Sequence, residues 1–256
     1  MRLAAAIALA ALAATECPGG GGPVVPGPWD YAAFGDSVPA GTASEVAYPD
    51  VYARLTEGRT GVQVRVHNLA ISGSTSEDLR RELRGDRESR RAVGRARLVT
   101  MTIGGNDLTG VLRDALEGRC PGEALRGCLE DALDAFERNW AETLDELLGL
   151  VREGPVAVRT TNYYDPFLDD PAAEAALDAA PVDVRAMLVA SNDRICEMSR
   201  ERGVPCADVY RAFNGPDGTF SALDRGLLAE DRFHPSAEGQ RLIARTLRDL
   251  GYAPLA

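Results

Sequence analysis

Residues 31–41 read YAAFGDSVPAG. A short apolar run ends at Gly35, Asp36 and Ser37 follow, and a proline comes two residues later. An ordinary turn explains that pattern. So does a strand that hands a nucleophile to the edge of a sheet. The rest of the chain decides between the two.

Apolar runs of the same kind recur. VQVRVHNLA (62–70) places valines at 62, 64 and 66, the period of a strand. ARLVTMTIGG (96–105) reads as a third strand, PVAVRTTNYYDP (155–166) as a fourth stopped by Pro166, and VPCADVY (204–210) as a fifth. Helical stretches lie between them. YPDVYARLTEG (48–58) is amphipathic, and STSEDLRRELR (74–84) opens with cap residues and acids. Residues 128–153 form a long amphipathic stretch, 171–202 read as one or two helices interrupted at Pro181, and SAEGQRLIARTLRDL (236–250) is the last helix. Five short apolar strands alternating with helices predict an α/β fold, one parallel sheet covered on both faces. The 256 residues suffice for its core without staples. No internal repeat interrupts the pattern, so residues 29–256 read as one domain.

Ligands on such sheets bind at the carboxyl ends of the strands. The first strand ends in Gly35-Asp36-Ser37, the second runs into Ile71-Ser72-Gly73, and the third ends in Gly104-Gly105-Asn106-Asp107. Past the fifth strand, Asp231-Arg232-Phe233-His234-Pro235 leads into the last helix. A hydroxyl, two glycine turns, an amide, a carboxylate and an imidazole thus gather on one rim, the inventory of acyl-transfer catalysis. Ser37 is expected to sit exposed at a strand-to-helix turn as nucleophile. His234 would take its proton and return it to the leaving group. Asp231, three residues earlier, would fix the imidazole tautomer and stabilise the imidazolium. The Ser37 and Gly73 N–H groups and the Asn106 amide would face the developing oxyanion. Asp36 and Asp107 read better as carboxylates that hold turns.

Other chemistries fit less well. His67 and His234 are the only histidines, and His67 lies on a period-two strand where a structural role is expected, so a multi-histidine metal site lacks ligands. No metal and no cofactor is expected. No G-x-S-x-G elbow and no glycine-rich phosphate loop occurs. The formal charge of −11 argues against a nucleic-acid partner and gives no attraction to anionic membrane surfaces. All 28 basic residues are arginine.

The N-terminus carries Arg2 and then an apolar run from Leu3 to Ala14, too short to span a bilayer and suited to the core of a signal peptide. Residues 18–28 read as a Gly/Pro linker, so 1–28 are expected to be leader and linker, and the protein to be secreted. Cys17 raises the alternative of a lipoprotein anchor, but Glu16 stands where such a signal needs a small residue. Cys120 and Cys128 bracket a short loop. Cys196 and Cys206 flank a turn at Gly203, and seven helical and three strand residues each rise about 10 Å, which levels the two sulfurs. In an exported chain both pairs are expected to be disulfides. The stretch from Leu108 to Cys128, with Val111, Leu112, Leu116 and Leu125, reads as a loop that walls an acyl pocket and is pinned by Cys120–Cys128. Tyr163, Tyr164 and Phe167 leave the fourth strand and either line the substrate site or pack.

GDS at 35–37, the glycine block around Gly73, GGND at 104–107 and DRFHP at 231–235 stand in the order of the four blocks of the SGNH hydrolase superfamily, also called the GDSL esterase/lipase family. The chain resembles that family over nearly all of residues 29–250. The resemblance implies a flavodoxin-like three-layer α/β/α sandwich with a five-stranded parallel sheet. It implies a Ser-His-Asp hydrolase with Ser37, His234 and Asp231, and an oxyanion hole from Ser37, Gly73 and Asn106. NYYDPF (162–167) and the cysteine-bearing loop are similar to secreted bacterial esterases and lipases of the family. The expected partner is an ester or lipid small molecule, and the expected state a monomer. Two other readings stand beside this one: an acetyl esterase or acetyltransferase acting on polysaccharide, and an inactive binding module on the same fold.

Overall fold

Trp29–Gly35 forms β1, and its side chains alternate between two faces although nearly all are apolar. Trp29, Tyr31 and Ala33 enter one core, Ala32 and Phe34 the other. A strand apolar on both sides must be covered on both sides, which is why the fold has three layers. The computed structural model describes residues 24–120, 124–151, 154–171, 175 and 183–256, apart from the side chains of Leu112, Ala115 and Leu116.

Four further strands are parallel to β1: β2 Val64–Asn68, β3 Leu98–Thr102, β4 Ala157–Thr161 and β5 Cys206–Ala207. The sheet order is β2-β1-β3-β4-β5. That order makes β1 and β3 neighbours whose connections depart in opposite directions, so a crevice opens between their carboxyl ends. Gly35 pairs with Thr102 there. On the first face lie α2 (Tyr48–Thr60), α8 (Val209–Asn214) and α9 (Ala237–Asp249), packed through Tyr52, Phe213 and Leu247. On the second lie α3 (Ser76–Gly85), α4 (Arg87–Arg95), α6 (Leu125–Leu150) and α7 (Val184–Glu201), packed through Leu79, Val93, Trp140 and Ile195. Full burial of one such large apolar side chain stabilises the fold by roughly 1.5–3 kcal/mol. Two short elements sit at the crevice: α1 (Ser37–Ala40) after β1 and α5 (Gly105–Leu116) after β3.

The fold has the five-stranded α/β/α arrangement read from the sequence, with four differences. The stretch from Leu108, expected as loop, is helix as far as Leu116, within α5. Asp107 stands in the helix's first turn, Arg113 in its last, and Leu108 and Val111 lie i,i+3 on one apolar face, a pattern that outweighs Gly110. β5 is two residues long, because Asp208 caps α8 at once. α4 follows α3 with Asp86 capping it through the Ser89 N–H. The visible end of the expected linker is tied down: the Val25 N–H donates to the Leu255 carbonyl, and Trp29 Nε1 to the Val25 carbonyl. The leader, Cys17, Pro181 and the side chains of Leu112 and Leu116 lie outside the described residues. Both expected disulfides, Cys120–Cys128 and Cys196–Cys206, are formed.

Candidate active site

Ser37 follows β1 after Asp36 alone, at the first position of α1. Gly35 permits this turn, because its φ is +143° and a Cβ there would stand 1.9 Å from the Thr102 carbonyl oxygen. Asp36 caps α1 by accepting the Val38 N–H through Oδ1 at 3.0 Å. Ser37 is not exposed as the sequence reading expected. Only 9% of it is accessible, since the walls of a recess rise around it.

His234 arrives from the far end of the chain. Its Nε2 lies 2.9 Å from Ser37 Oγ, and its Nδ1 lies 2.6 Å from Asp231 Oδ2. Asp231 Oδ1 also accepts the N–H groups of Phe233 (3.0 Å) and His234 (2.9 Å). The loop curls tightly enough for this because Arg232 takes a left-handed conformation with φ +58°. Burial pushes the Asp231 carboxyl up, but the hydrogen bonds from the His234 ring and the two backbone N–H groups outweigh it and leave the carboxyl below its usual range. Asp231 is therefore ionised and faces the imidazole.

On the other side of the crevice, Gly73 adopts φ +86° with open space where a Cβ would be. Asn106 is the second residue of α5. Its Nδ2 donates to the Ser74 carbonyl at 2.9 Å, which draws the Gly73 turn and the start of α5 together. Asp107 does not face the rim. Its carboxylate accepts the N–H and the hydroxyl of Ser76 at the start of α3. Asp36, Asp107 and Asp231 thus point to three different sets of partners. Among the described residues no three His, Cys, Asp or Glu side chains form a group that could hold a metal ion. His67 lies at the edge strand β2 and pairs with Asp30 at 3.2 Å.

From Ser37 and Asn106 an apolar recess runs between α5, α6 and α7, lined by Leu108, Leu129, Phe136, Met187, Leu188 and Ile195 among others. Gly104 admits Phe136 to its floor, for a Cβ there would stand 2.5 Å from the ring. The Cys120–Cys128 bridge joins the end of α5 to α6, beside the recess, and Cys120 packs in one small cluster with Leu125, Leu129 and Leu108. Leu108, Tyr163 and Tyr164 all line the recess, as does Phe167. The two tyrosine hydroxyls are also bonded to protein, Tyr163 to Asp36 Oδ2 at 2.6 Å and Tyr164 to the Phe233 carbonyl at 2.8 Å. Sequence reasoning missed Phe136, Ile195 and the Ser74 carbonyl. Only the packing of three distant segments brings these to the site, and no local spacing records that.

Asp36 is fully buried, and burial pushes its carboxyl from the ordinary 3.8 up to about 6 despite hydrogen bonds from Tyr163 and Val38. The folded state therefore holds this proton more tightly than the unfolded chain. The associated stability is present below pH 3.8 and is lost as pH rises to about 6, a loss of about 3 kcal/mol. Asp36→Asn keeps the shape without the titration. Urea unfolding at pH 4 and pH 7 is expected to show wild type losing about that much relative to Asp36→Asn, and a pH-independent difference would contradict it.

The GDSL-like Lipase/Acylhydrolase family model matches residues 33–242. The chain belongs to this family. As a GDSL-like lipase/acylhydrolase it is a carboxylic ester hydrolase. Solved structures share its fold. A lipase from a goat rumen metagenome superposes with a TM-score of 0.72 at 23% identity, covering 89% of this chain and 100% of the lipase. An acetylxylan esterase from Geobacillus stearothermophilus gives 0.62 at 20% identity, covering 88% and 94%. An α/β hydrolase from the metagenome of Lake Arreo, Spain, gives 0.58 at 19%, covering 88% and 95%. A comparison with curated proteins found no match.

Proposed function

We propose that this GDSL-like hydrolase is an exported serine esterase or lipase that cleaves esters of medium or long acyl chains. The observation that carries the reading is the line from Asp231 through His234 to Ser37, which ends at the mouth of an apolar recess. Ser37 Oγ attacks the ester carbonyl and passes its proton to His234 Nε2. The carbonyl oxygen becomes an oxyanion, met by the Ser37 and Gly73 N–H groups and by Asn106. Asn106 Nδ2 carries two hydrogens, and the one not given to Ser74 serves this role. When the intermediate collapses, the alcohol leaves with the proton from His234 and the acyl group stays on Ser37. Water then attacks the acyl-enzyme, His234 takes its proton and returns it to Ser37, and the acid departs. Ionised Asp231 stabilises the imidazolium in both halves.

The recess favours long chains over acetyl, because methylenes leaving water for Leu108, Leu129, Met187 and Ile195 gain about 0.8 kcal/mol each, about fourfold in kcat/KM. Two disulfides fit an oxidising compartment, and among the described residues no helix is long and apolar enough to cross a membrane. We take the working form to be a monomer.

The test is a p-nitrophenyl ester series from acetyl to decanoyl, run beside fluorophosphonate labelling. The expected result is kcat/KM that climbs with chain length and label on Ser37. A maximum at acetyl would favour the acetyl esterase reading. An unlabelled, inactive protein would favour the binding module.

A further inference from the structure

β4 ends at Thr161, and the chain beyond it leaves the sheet as irregular backbone. Two side-chain amides, one from a helix on each face of the sheet, bond to the backbone of that segment. Asn192 Oδ1 accepts the Tyr163 N–H at 2.8 Å, and Asn192 Nδ2 donates to the Tyr163 carbonyl at 2.8 Å. Asn214 repeats the pattern two residues on: Oδ1 accepts the Asp165 N–H at 2.9 Å, and Nδ2 donates to the Asp165 carbonyl at 2.9 Å. A carboxamide presents the donor and acceptor of a peptide group, so residues 163 and 165 are held as in a ladder. Both asparagines are buried, at 2% and 0% exposure, so water does not compete for these bonds.

The two tyrosines held in this way reach opposite halves of the site. Tyr163 OH donates to Asp36 Oδ2 at 2.6 Å, and Asp36 Oδ1 takes the Val38 N–H, so this carboxylate spans the backbone on both sides of Ser37. Tyr164 OH donates to the carbonyl of Phe233, the residue before His234, while its ring stacks on Phe213 at 4.6 Å. Consecutive residues of one braced segment therefore grip the neighbour of Ser37 and the neighbour of His234.

We infer that residues 162–165 are a positioning clamp: Tyr163 sets Ser37 through Asp36, Tyr164 sets His234 through Phe233, and together they hold the 2.9 Å separation across which the proton moves. The inference rests on the roles proposed above for Ser37 and His234. Neither hydroxyl needs to touch the substrate. A displacement of about 1 Å in a reacting pair costs on the order of 100-fold in rate, so two modest hydrogen bonds at these places have leverage on turnover well beyond their share of stability.

Tyr163→Phe and Tyr164→Phe remove the hydroxyls and leave both rings, hence the recess wall and the stack on Phe213, in place. Each variant is expected to lower kcat and the rate of fluorophosphonate labelling on the order of tenfold to 100-fold. The loss should be equal for every acyl chain length, with KM little changed; Tm falls by a few degrees, most in Tyr163→Phe, which leaves the buried Asp36 carboxylate short of a donor, and both variants stay folded in the assay. Wild-type kcat and labelling in both variants would overturn the clamp. So would a loss confined to KM, or one that grows with chain length, because the tyrosines would then be wall and not clamp. A loss that only follows a fall in folded fraction would overturn it as well. If Ser37 in the wild type takes no label, the nucleophile reading fails and the clamp fails with it. Label on wild-type Ser37 beside unaltered variants sinks the clamp alone.

Discussion

Ser37→Ala is expected to leave the fold standing and to remove turnover. The substitution deletes one oxygen at the first position of a four-residue helix, where alanine fits the backbone well. The fold loses a hydrogen bond to His234, worth about 1 kcal/mol. Catalysis loses the atom proposed to carry the acyl group, and losses of this kind run on the order of 10⁶ in kcat. His234→Ala is expected to cost nearly as much, since the serine then has no group to take its proton. The double variant should be no worse than either single one, because nucleophile and base act as a unit. Asp231→Asn should be damaging but milder, for two reasons. The Asp231 side chain is 39% exposed, so water partly replaces its charge. Asn retains an oxygen for the backbone N–H groups of Phe233 and His234 that shape the turn. Steady-state assay and burst titration with a p-nitrophenyl ester measure all four variants. Turnover in Ser37→Ala near that of wild type would remove the nucleophile, and a double variant much worse than either single one would show that the pair does not act together.

Much of this arrangement was legible in the sequence because strand ends are local. The turn at Gly35, the apolar run before it and Ser37 after it lie within a few residues, and one steric requirement, the 1.9 Å approach of a Cβ to the Thr102 carbonyl, fixes the glycine. Asp231 and His234 could be paired for the same reason, being three residues apart in one turn. The strand cores were found, but their ends were not. Val156, Tyr163 and Tyr210 carry as much apolar or aromatic character as residues inside the strands, and only the reach of the neighbouring strand decides where pairing stops. β5 stops after two residues where Asp208 caps α8, although the apolar character runs on to Tyr210. The stretch from Leu108, misread as loop although it belongs to α5 as far as Leu116, has a different cause. Its helical face becomes meaningful only when α6 and α7 supply something to bury it against. One wall of the recess was read from Leu108 onward, but its far wall and the tyrosine clamp were not legible. Phe136, Asn192 and Asn214 lie far along the chain from Ser37, and nothing in the composition of NYYDPF distinguishes a tyrosine that lines a wall from one that orients a catalytic pair. The sequence reading left that choice open, and the structure gives the two hydroxyls protein partners.

Asn106→Ala is expected to lower kcat about 100- to 1,000-fold with little change in KM. On the proposed reading the donor faces charge that exists in the transition state and not in the bound ester, so its removal leaves ground-state binding nearly untouched. Loss of one such donor typically costs about 3–4 kcal/mol of barrier. The side chain has a second tie, from Nδ2 to the Ser74 carbonyl, and alanine removes that too. The Gly73 turn is then free to drift, which would weaken a second oxyanion donor and add to the loss. Asn106→Asp tests the same position by charge. It keeps the length of the side chain but replaces the donor by a carboxylate, which repels the oxyanion and the Ser74 carbonyl alike. If stabilisation of the oxyanion dominates, Asn106→Asp should be at least as slow as Asn106→Ala. In both variants the affinity for a boronic acid that adds to Ser37 should fall in step with kcat/KM, because the tetrahedral adduct presents its oxygen to the same donors. Near-normal kcat in Asn106→Ala would take Asn106 out of the oxyanion hole. A rise in KM with kcat preserved would instead make it part of the wall that binds the ester, and Ser37 and Gly73 would be left to hold the oxyanion alone.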